Sequence, residues 1–218
     1  MRLFGREIKA VTFDMDGTLY NSARLLIKIL PEVLKNRRFI VEFYRVRESL
    51  RREGFKGDIR REVIKRLSHK LIIAESDIEY MIDETIYRLF ASRIDRRLLF
   101  KGLRDFIDML KANDVRLGII SDFPIEEKLM RLGLYFEPWR ALINTEDIGA
   151  LKPSIEPFQR AAELLAVEPG HILHIGDRED SDVAGAKRAG FISARLKRFG
   201  RLKSKADIIF RSYTEFII

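Results

Sequence analysis

Short apolar runs separated by helix-length stretches constrain this chain most. Residues 8–13, 115–120, 141–144 and 171–175 read as buried strands, and 191–194 and 207–210 as further short ones. Residues 102–112, 125–132, 155–165 and 180–189 between them carry helical periodicity, with Gly133 and Gly190 as stops. Strands joined by helices of this length imply parallel βαβ units with right-handed crossovers. A sheet of that kind binds ligands beyond the carboxyl ends of its strands.

Those ends carry the chemistry. The first run delivers Asp14 and Asp16 onto a turn at Gly17, because aspartate is a poor residue for a strand interior and glycine permits a tight turn. The second run ends in Ser121 and Asp122, a later one in Asp177, and Lys152 lies in the loop after the strand ending near Asn144. Crowded carboxylates repel unless a cation or a shared proton intervenes. Such a pair suits a hard divalent metal and a carboxylate nucleophile beside a general acid/base. Each residue also has a plainer reading. Asp16-Gly17 can close a hairpin, Ser121 or Asp122 can cap a helix, Lys152 can be a surface lysine, and Asp177 and Asp182 can face a helix dipole. Their convergence on one sheet edge favours the functional reading.

Residues 22–92 differ in character, being charged, nearly free of glycine and rich in helix formers. The spacing predicts four helices. One follows Ser22 as its cap and carries Leu25, Leu26, Ile29, Leu30 and Val33; a second covers 41–52 and is closed by Gly54. Asp58 caps a third, with Ile59, Val63, Ile64 and Leu67 on its apolar side. Ser76 opens a fourth through a Ser-x-x-Glu box with Glu79, carrying Ile78, Met81, Ile82, Ile86 and Leu89. The expected fold class is α/β, a mostly parallel sheet flanked by helices. Residues 1–19 and 100–218 form the core and 20–99 an inserted all-helical cap.

The formal net charge is +8, and the excess of basic residues lies wholly between positions 24 and 104. A basic lid over an anionic substrate or a nucleic-acid surface would account for it. A solvated helical face would too. Glu48 ahead of Arg51 and Arg52, and Glu62 ahead of Lys65 and Arg66, read as ordinary surface pairs, and aromatics are not interleaved as stacking platforms. Nucleic acid is therefore not the expected partner. The chain has no cysteine, which excludes disulfides, thiolate zinc sites and cysteine nucleophiles. With no membrane-length apolar run and no signal-peptide core, a soluble cytoplasmic protein is expected. His171 and His174 read as structural, His69 has no metal-like partner, and Asp180 shares the acidic loop of Asp177.

Asp14-Met15-Asp16-Gly17-Thr18, Ile119-Ile120-Ser121-Asp122, Lys152-Pro153 and His174-Ile175-Gly176-Asp177 with Asp182 occur in this order. They resemble the four motifs of the haloacid dehalogenase-like hydrolases, a Rossmann-like superfamily dominated by phosphatases, and the insert resembles the helical cap of its first subclass. The resemblance implies a Mg²⁺-dependent phosphomonoester hydrolase acting on a small phosphorylated metabolite. Asp14 would be the nucleophile that forms an aspartyl-phosphate, Asp16 the general acid/base, and Lys152 the charge-neutralising ammonium. Ser121, with Gly17, Thr18 and Asp122, would hold the phosphoryl group. Asp14, Asp177 and the Asp16 backbone carbonyl would hold Mg²⁺, with Asp182 behind them through water or as a lysine-orienting partner. An acid at position 16 implies phosphate transfer rather than dehalogenation. A sugar phosphomutase remains the alternative within the fold, and a non-catalytic anion- or nucleic-acid-binding protein the alternative outside it. Tyr20 and Asn21 would touch a leaving group or shape the hinge.

Overall fold

A computed structural model describes residues 1–3, 5–201 and 203–217. A small antiparallel hairpin of β1 (Arg2–Leu3) and β2 (Arg6–Glu7) leads into β3 (Ala10–Phe13), which is buried along its whole length. The insert then supplies α1 (Ser22–Lys28), α2 (Leu30–Lys35), α3 (Arg37–Glu53), α4 (Ile59–Leu71) and α5 (Glu75–Met81). A wider, π-type stretch (Ile82–Arg88) carries α5 into α6 (Leu89–Ser92). After that, helices and strands alternate: α7 (Leu103–Ala112), β4 (Arg116–Ser121), α8 (Glu126–Leu132), β5 (Trp139–Asn144), α9 (Thr145–Ile148) and α10 (Glu156–Leu165). The chain closes with β6 (Ile172–Gly176), α11 (Ala184–Arg188), β7 (Ile192–Leu196) and β8 (Ile208–Phe210).

The main sheet has the order β5-β4-β3-β6-β7-β8 and is parallel throughout. The chain grows from β3 to β4 and β5, then crosses back to β6, β7 and β8, so the switch point lies at the carboxyl end of β3. Phe13 is in register with Ile119 of β4 and Ile175 of β6, which brings the three chemistry-bearing strand ends side by side.

Both faces of the sheet are covered, as a parallel sheet requires. Phe13, Phe106, Phe210 and Tyr213 pack on one face, and Ile120, Phe158, Ile172 and Phe191 on the other. The insert has an apolar core of its own from Phe39, Phe43, Leu50, Ile59, Val63, Leu67, Ile78 and Ile86. Leu25 and Ile29 of the first helical stretch instead belong to the core beside the sheet, with Ile94 and Leu98. The two linkers between the regions run together: the Asn21 N–H donates to Leu98 O (2.9 Å) and the Phe100 N–H to Leu19 O (3.2 Å). Among the described residues no helix is long and apolar enough to cross a membrane.

Several expected helix ends move. Asn21, not Ser22, caps α1, its side-chain oxygen accepting the Arg24 N–H (3.1 Å). The single helix expected there breaks at Ile29, since Pro31 in the first turn of α2 has no N–H to continue α1. Helix α3 starts at Arg37, four residues before the expected position 41. The Ser76–Glu79 box does not form, because Ala74 O already accepts the Asp77 and Ile78 N–H groups and places Ser76 inside the first turn. Asp58 does cap α4, accepting the Arg61 N–H at 2.9 Å. The helix expected over 180–189 opens as a wide turn (Glu179–Val183), where the Asp182 carboxylate folds back on the Arg178 N–H (3.0 Å).

Candidate active site

Asp14 follows β3 directly, and its N–H continues the sheet by donating to Ile175 O (2.8 Å). Its carboxylate is held at both oxygens. Lys152 Nζ donates to Oδ1 (2.6 Å) and Thr18 Oγ1 to Oδ2 (2.9 Å). The turn that lets Thr18 reach back depends on Gly17, whose φ is 91° and where a Cβ would fall inside the Asp177 carboxylate. Far along the chain, the Tyr213 hydroxyl donates to Thr18 O (3.0 Å) and ties the C-terminal segment to this turn.

Lys152 is 2% exposed and uses all three ammonium hydrogens, on Asp14 Oδ1, Asp182 Oδ1 (2.7 Å) and Ile120 O (3.0 Å). Burial alone would lower its pKa, but the charges of Asp14, Asp182 and Asp122 outweigh burial and hold it well above the usual lysine range. Asp182 has the opposite balance. Burial pushes it up, but Lys152 and His174 outweigh that and hold it below the usual carboxylate range. Asp14 is raised well above the usual range, by burial first and then by the Asp182 and Asp177 charges, with Lys152 opposing. Asp177 is pushed up to about 7 by burial and by the Asp182 charge.

Asp16 has a different set of partners. Lys128 Nζ donates to both its oxygens (2.7 Å each), and the Tyr20 hydroxyl donates to Oδ1. Tyr20 is therefore buried in the hinge as a brace for Asp16. Ser121 Oγ accepts the Phe123 N–H (3.1 Å), which leaves its own proton for an incoming oxygen. Asp122 accepts from Thr145 Oγ1 (2.7 Å), from the Lys152 N–H (3.3 Å) and from Arg51 (2.8 Å), and its pKa is lowered because Lys152, Arg51 and Arg47 outweigh burial. Its carboxylate thus braces the lysine loop. Asp180 points outward in a two-pronged bond from Arg178 (3.1 and 2.8 Å), away from the other acids.

The structure unites Asp14, Lys152, Asp177 and Asp182, while the Asp16 carboxylate is bonded to Lys128 and Tyr20 beside them. Ligand oxygens of Asp14, Asp177 and Asp182 lie within 4.8 Å of one another, and Asp177 Oδ1 is buried without a hydrogen-bond donor. Three carboxylates against one ammonium, with one orphaned oxygen, fit a small hard cation.

Three contributors escaped the sequence reading. Lys128 had no signal beyond its place on the helix after Ser121-Asp122. Arg47 and Arg51 did have one: they stand four apart on α3, on the same face as buried Phe43 and Leu50. The Glu48–Arg51 pair expected on the surface does form (2.6 Å), but the Arg51 side chain is only 10% exposed. It also reaches Lys152 O (2.7 Å) and Asp122 on the core. Arg47 bonds Glu146 and Asp122 O.

Residues 8–190 match the family described as haloacid dehalogenase-like hydrolase. A glyceraldehyde 3-phosphate phosphatase of Methanopyrus kandleri is 27% identical over 212 residues, 88% of this chain and 84% of that protein. The pyrophosphatase PpaX of Bacillus mycoides is 27% identical over 191 residues, covering 84% and 81%. The fold is also that of the putative HAD-hydrolase YfnB of Bacillus subtilis, solved with magnesium bound, at 20% identity, a TM-score of 0.72 and 97% of both chains. With the motifs in order along one sheet edge and the family matched over most of the sequence, the chain belongs to the haloacid dehalogenase-like hydrolases.

Proposed function

We propose that this protein is a Mg²⁺-dependent phosphatase that hydrolyses a small phosphomonoester through an aspartyl-phosphate on Asp14. The observation that carries this reading is the Asp14 carboxylate, fixed at one oxygen by Lys152 and at the other by Thr18. An oriented carboxylate next to a buried ammonium attacks phosphorus with little reorganisation, and phosphoryl transfer depends chiefly on positioning and charge neutralisation. The two relatives named above are phosphatases by name, which agrees with it.

In the first half, an Asp14 oxygen bonds to phosphorus as the bond from phosphorus to the leaving oxygen breaks. Asp16, protonated for this step, gives its proton to that oxygen, with Lys128 and Tyr20 setting its direction. In the second half, Asp16 takes a proton from the water that attacks phosphorus, the Asp14–phosphorus bond breaks, and inorganic phosphate leaves. Ser121 and Lys152 hold the phosphoryl oxygens throughout. Asp14, Asp177 and the Asp16 backbone carbonyl, with Asp182 behind them, would hold Mg²⁺, which supplies charge neutralisation to the same oxygens.

Many cap cations face acids, including Arg45 on Glu42 (2.7 Å), Arg60 on Asp83 (2.9 Å) and Arg66 on Glu53 (2.8 Å). That favours a solvated helical face over a nucleic-acid surface. The test is phosphate release from p-nitrophenyl phosphate with Mg²⁺ or EDTA. We expect release only with metal and its loss in Asp14→Asn. Metal-independent turnover, or full activity in that variant, would defeat the reading, and isomerisation of a sugar phosphate without phosphate release would point to a mutase.

A further inference from the structure

We propose that the substrate is the phosphate monoester of an alcohol with an apolar, aromatic-sized body, not of a triose or a polyhydroxylated sugar. This rests on the phosphatase reading above and specifies its substrate class. The site opens into a cavity of about 670 Å³ between core and cap. That lies mid-range among pockets of about 300–1,000 Å³ that enclose drug-sized ligands. Asp14, Asp16, Lys152 and Asp182 form its charged floor. Its upper wall is Leu25, Ile40, Val41, Tyr44, Ile86 and Phe90, with Phe123 and Pro124 from the core.

The charged groups on that wall are engaged with protein partners. Arg47 and Tyr87 converge on Glu146, the Tyr87 hydroxyl lying 2.9 Å from both carboxylate oxygens. Arg51 is held by Asp122, Glu48 and Lys152 O, and Lys128 by Asp16. At the rim, Arg45 is on Glu42, Arg178 on Asp180 and Glu127 on Arg131. A sugar would bury several hydroxyls against carbon, and a site selects for hydroxyls only where it pairs them.

The ring surfaces are in place for the other occupant. Phe123 is fixed by stacking with Phe43 (6.4 Å) and edge contacts with Tyr44 (6.2 Å) and Tyr87 (6.4 Å), with the Arg47 guanidinium 4.5 Å from its centroid. Tyr44 is 42% exposed, and its hydroxyl has no hydrogen-bond partner among the described residues. A flat apolar group meets rigid aromatic walls there, plus one hydroxyl for a single polar contact.

The experiment compares kcat/KM of the Mg²⁺-loaded enzyme for 2-(2-naphthyl)ethyl phosphate and for glycerol 3-phosphate. Both release a primary alcohol, so leaving-group basicity is matched and the body of the leaving group is what differs. We expect at least a tenfold preference for the naphthyl ester, carried mainly by KM. Val41→Asp, at a position 45% exposed and so tolerant of a charge, should lower kcat/KM for that ester about fivefold with an unchanged melting temperature. Equal constants, or a preference for glycerol 3-phosphate, would overturn the substrate class while leaving a phosphatase. Absence of Asp14-dependent release from every monoester, p-nitrophenyl phosphate included, would remove the phosphatase and this inference together.

Discussion

The two walls of the cavity are built on opposite principles. On the sheet side, buried Asp14, Asp182 and Lys152 crowd together with half-buried Asp177, and one carboxylate oxygen is left without a donor among the described residues. On the cap side, Arg47 and Arg51 also border the cavity, but their guanidiniums are engaged in anchoring α3 on the core, through Arg47 to Glu146 and Arg51 to Asp122. Beside these paired charges the cap lines the cavity with Leu25, Ile40, Val41, Ile86 and Phe90. On the function proposed above, charge concentrated at the strand ends would serve bond making, where preorganised electrostatics act most strongly. Charge on the cap joins it to the core, and the Arg51 bond to Lys152 O braces the loop carrying Lys152.

The contrast is sharpest at Lys152. Lys152→Met leaves three buried acids with no ammonium, so we expect activity to fall by about 10²–10³-fold and stability by about 3–5 kcal/mol. Phosphate release and urea unfolding measure the two. Asp14→Asn should part them, abolishing release while removing one of the crowded charges, so its unfolding midpoint should not fall. If both variants lost stability alike, the crowded charges would not be what sets the sheet-side wall apart.

Metal loading probes the same wall from the other direction. A ligand bound only by the folded state stabilises it by about 2.7 kcal/mol at a hundredfold excess over Kd. Mg²⁺ should therefore raise the melting temperature of the wild type and leave that of Asp177→Asn unmoved. An equal rise in both would move the cation away from Asp177.

On the cap side the expected effects are smaller. Arg51→Ala removes charge-assisted bonds to Asp122 and Lys152 O that join lid to core. We expect kcat/KM to fall about tenfold, which is about 1.4 kcal/mol of closure free energy, with little change in the unfolding midpoint. A wild-type rate would show that these arginines do not couple the cap to the lysine loop.

Smallest is a titration within the cap. Hydrogen bonds from Arg66 and Ser49 lower the Glu53 carboxyl from 4.5 to about 2. A carboxyl lowered on folding contributes stability above its unfolded pKa and loses it as pH falls through the folded value. The wild type should therefore exceed Glu53→Gln in unfolding midpoint at pH 6, and the gap should narrow from pH 4.5 to 2. A gap independent of pH would mean that the ion pair does not hold this helix surface.

The strand ends were legible because their cues are local. Asp14, Asp16, Ser121 and Asp177 each follow an apolar run directly, and parallel pairing must then bring such ends to one edge. Asp58 could be read as a cap for the same reason, since its partner is three residues away. The caps of α1 and α5 were misplaced by one and two residues, Ser22 for Asn21 and Ser76 for Ala74, because serine reads as a good cap in isolation and only the backbone bonds of the folded chain choose the position. Arg51 was misread for a different reason. Its pairing with Glu48 satisfies the helix-surface rule, and nothing in that spacing reveals a second acid, Asp122 just past β4, on the same guanidinium.

By itself, then, the sequence determined the parallel sheet, the helical insert and the residue types gathered at the strand ends, since periodicity and turn chemistry act over a few residues. Only the tertiary structure decided that Lys128 and Tyr20 hold Asp16, that Tyr213 supports the turn at Thr18, and that Arg47 and Arg51 of the cap bond to the core beside an apolar cavity wall. Those contacts join positions up to 195 residues apart. Their partners are set by how the helices pack, and no local rule of spacing carries that information.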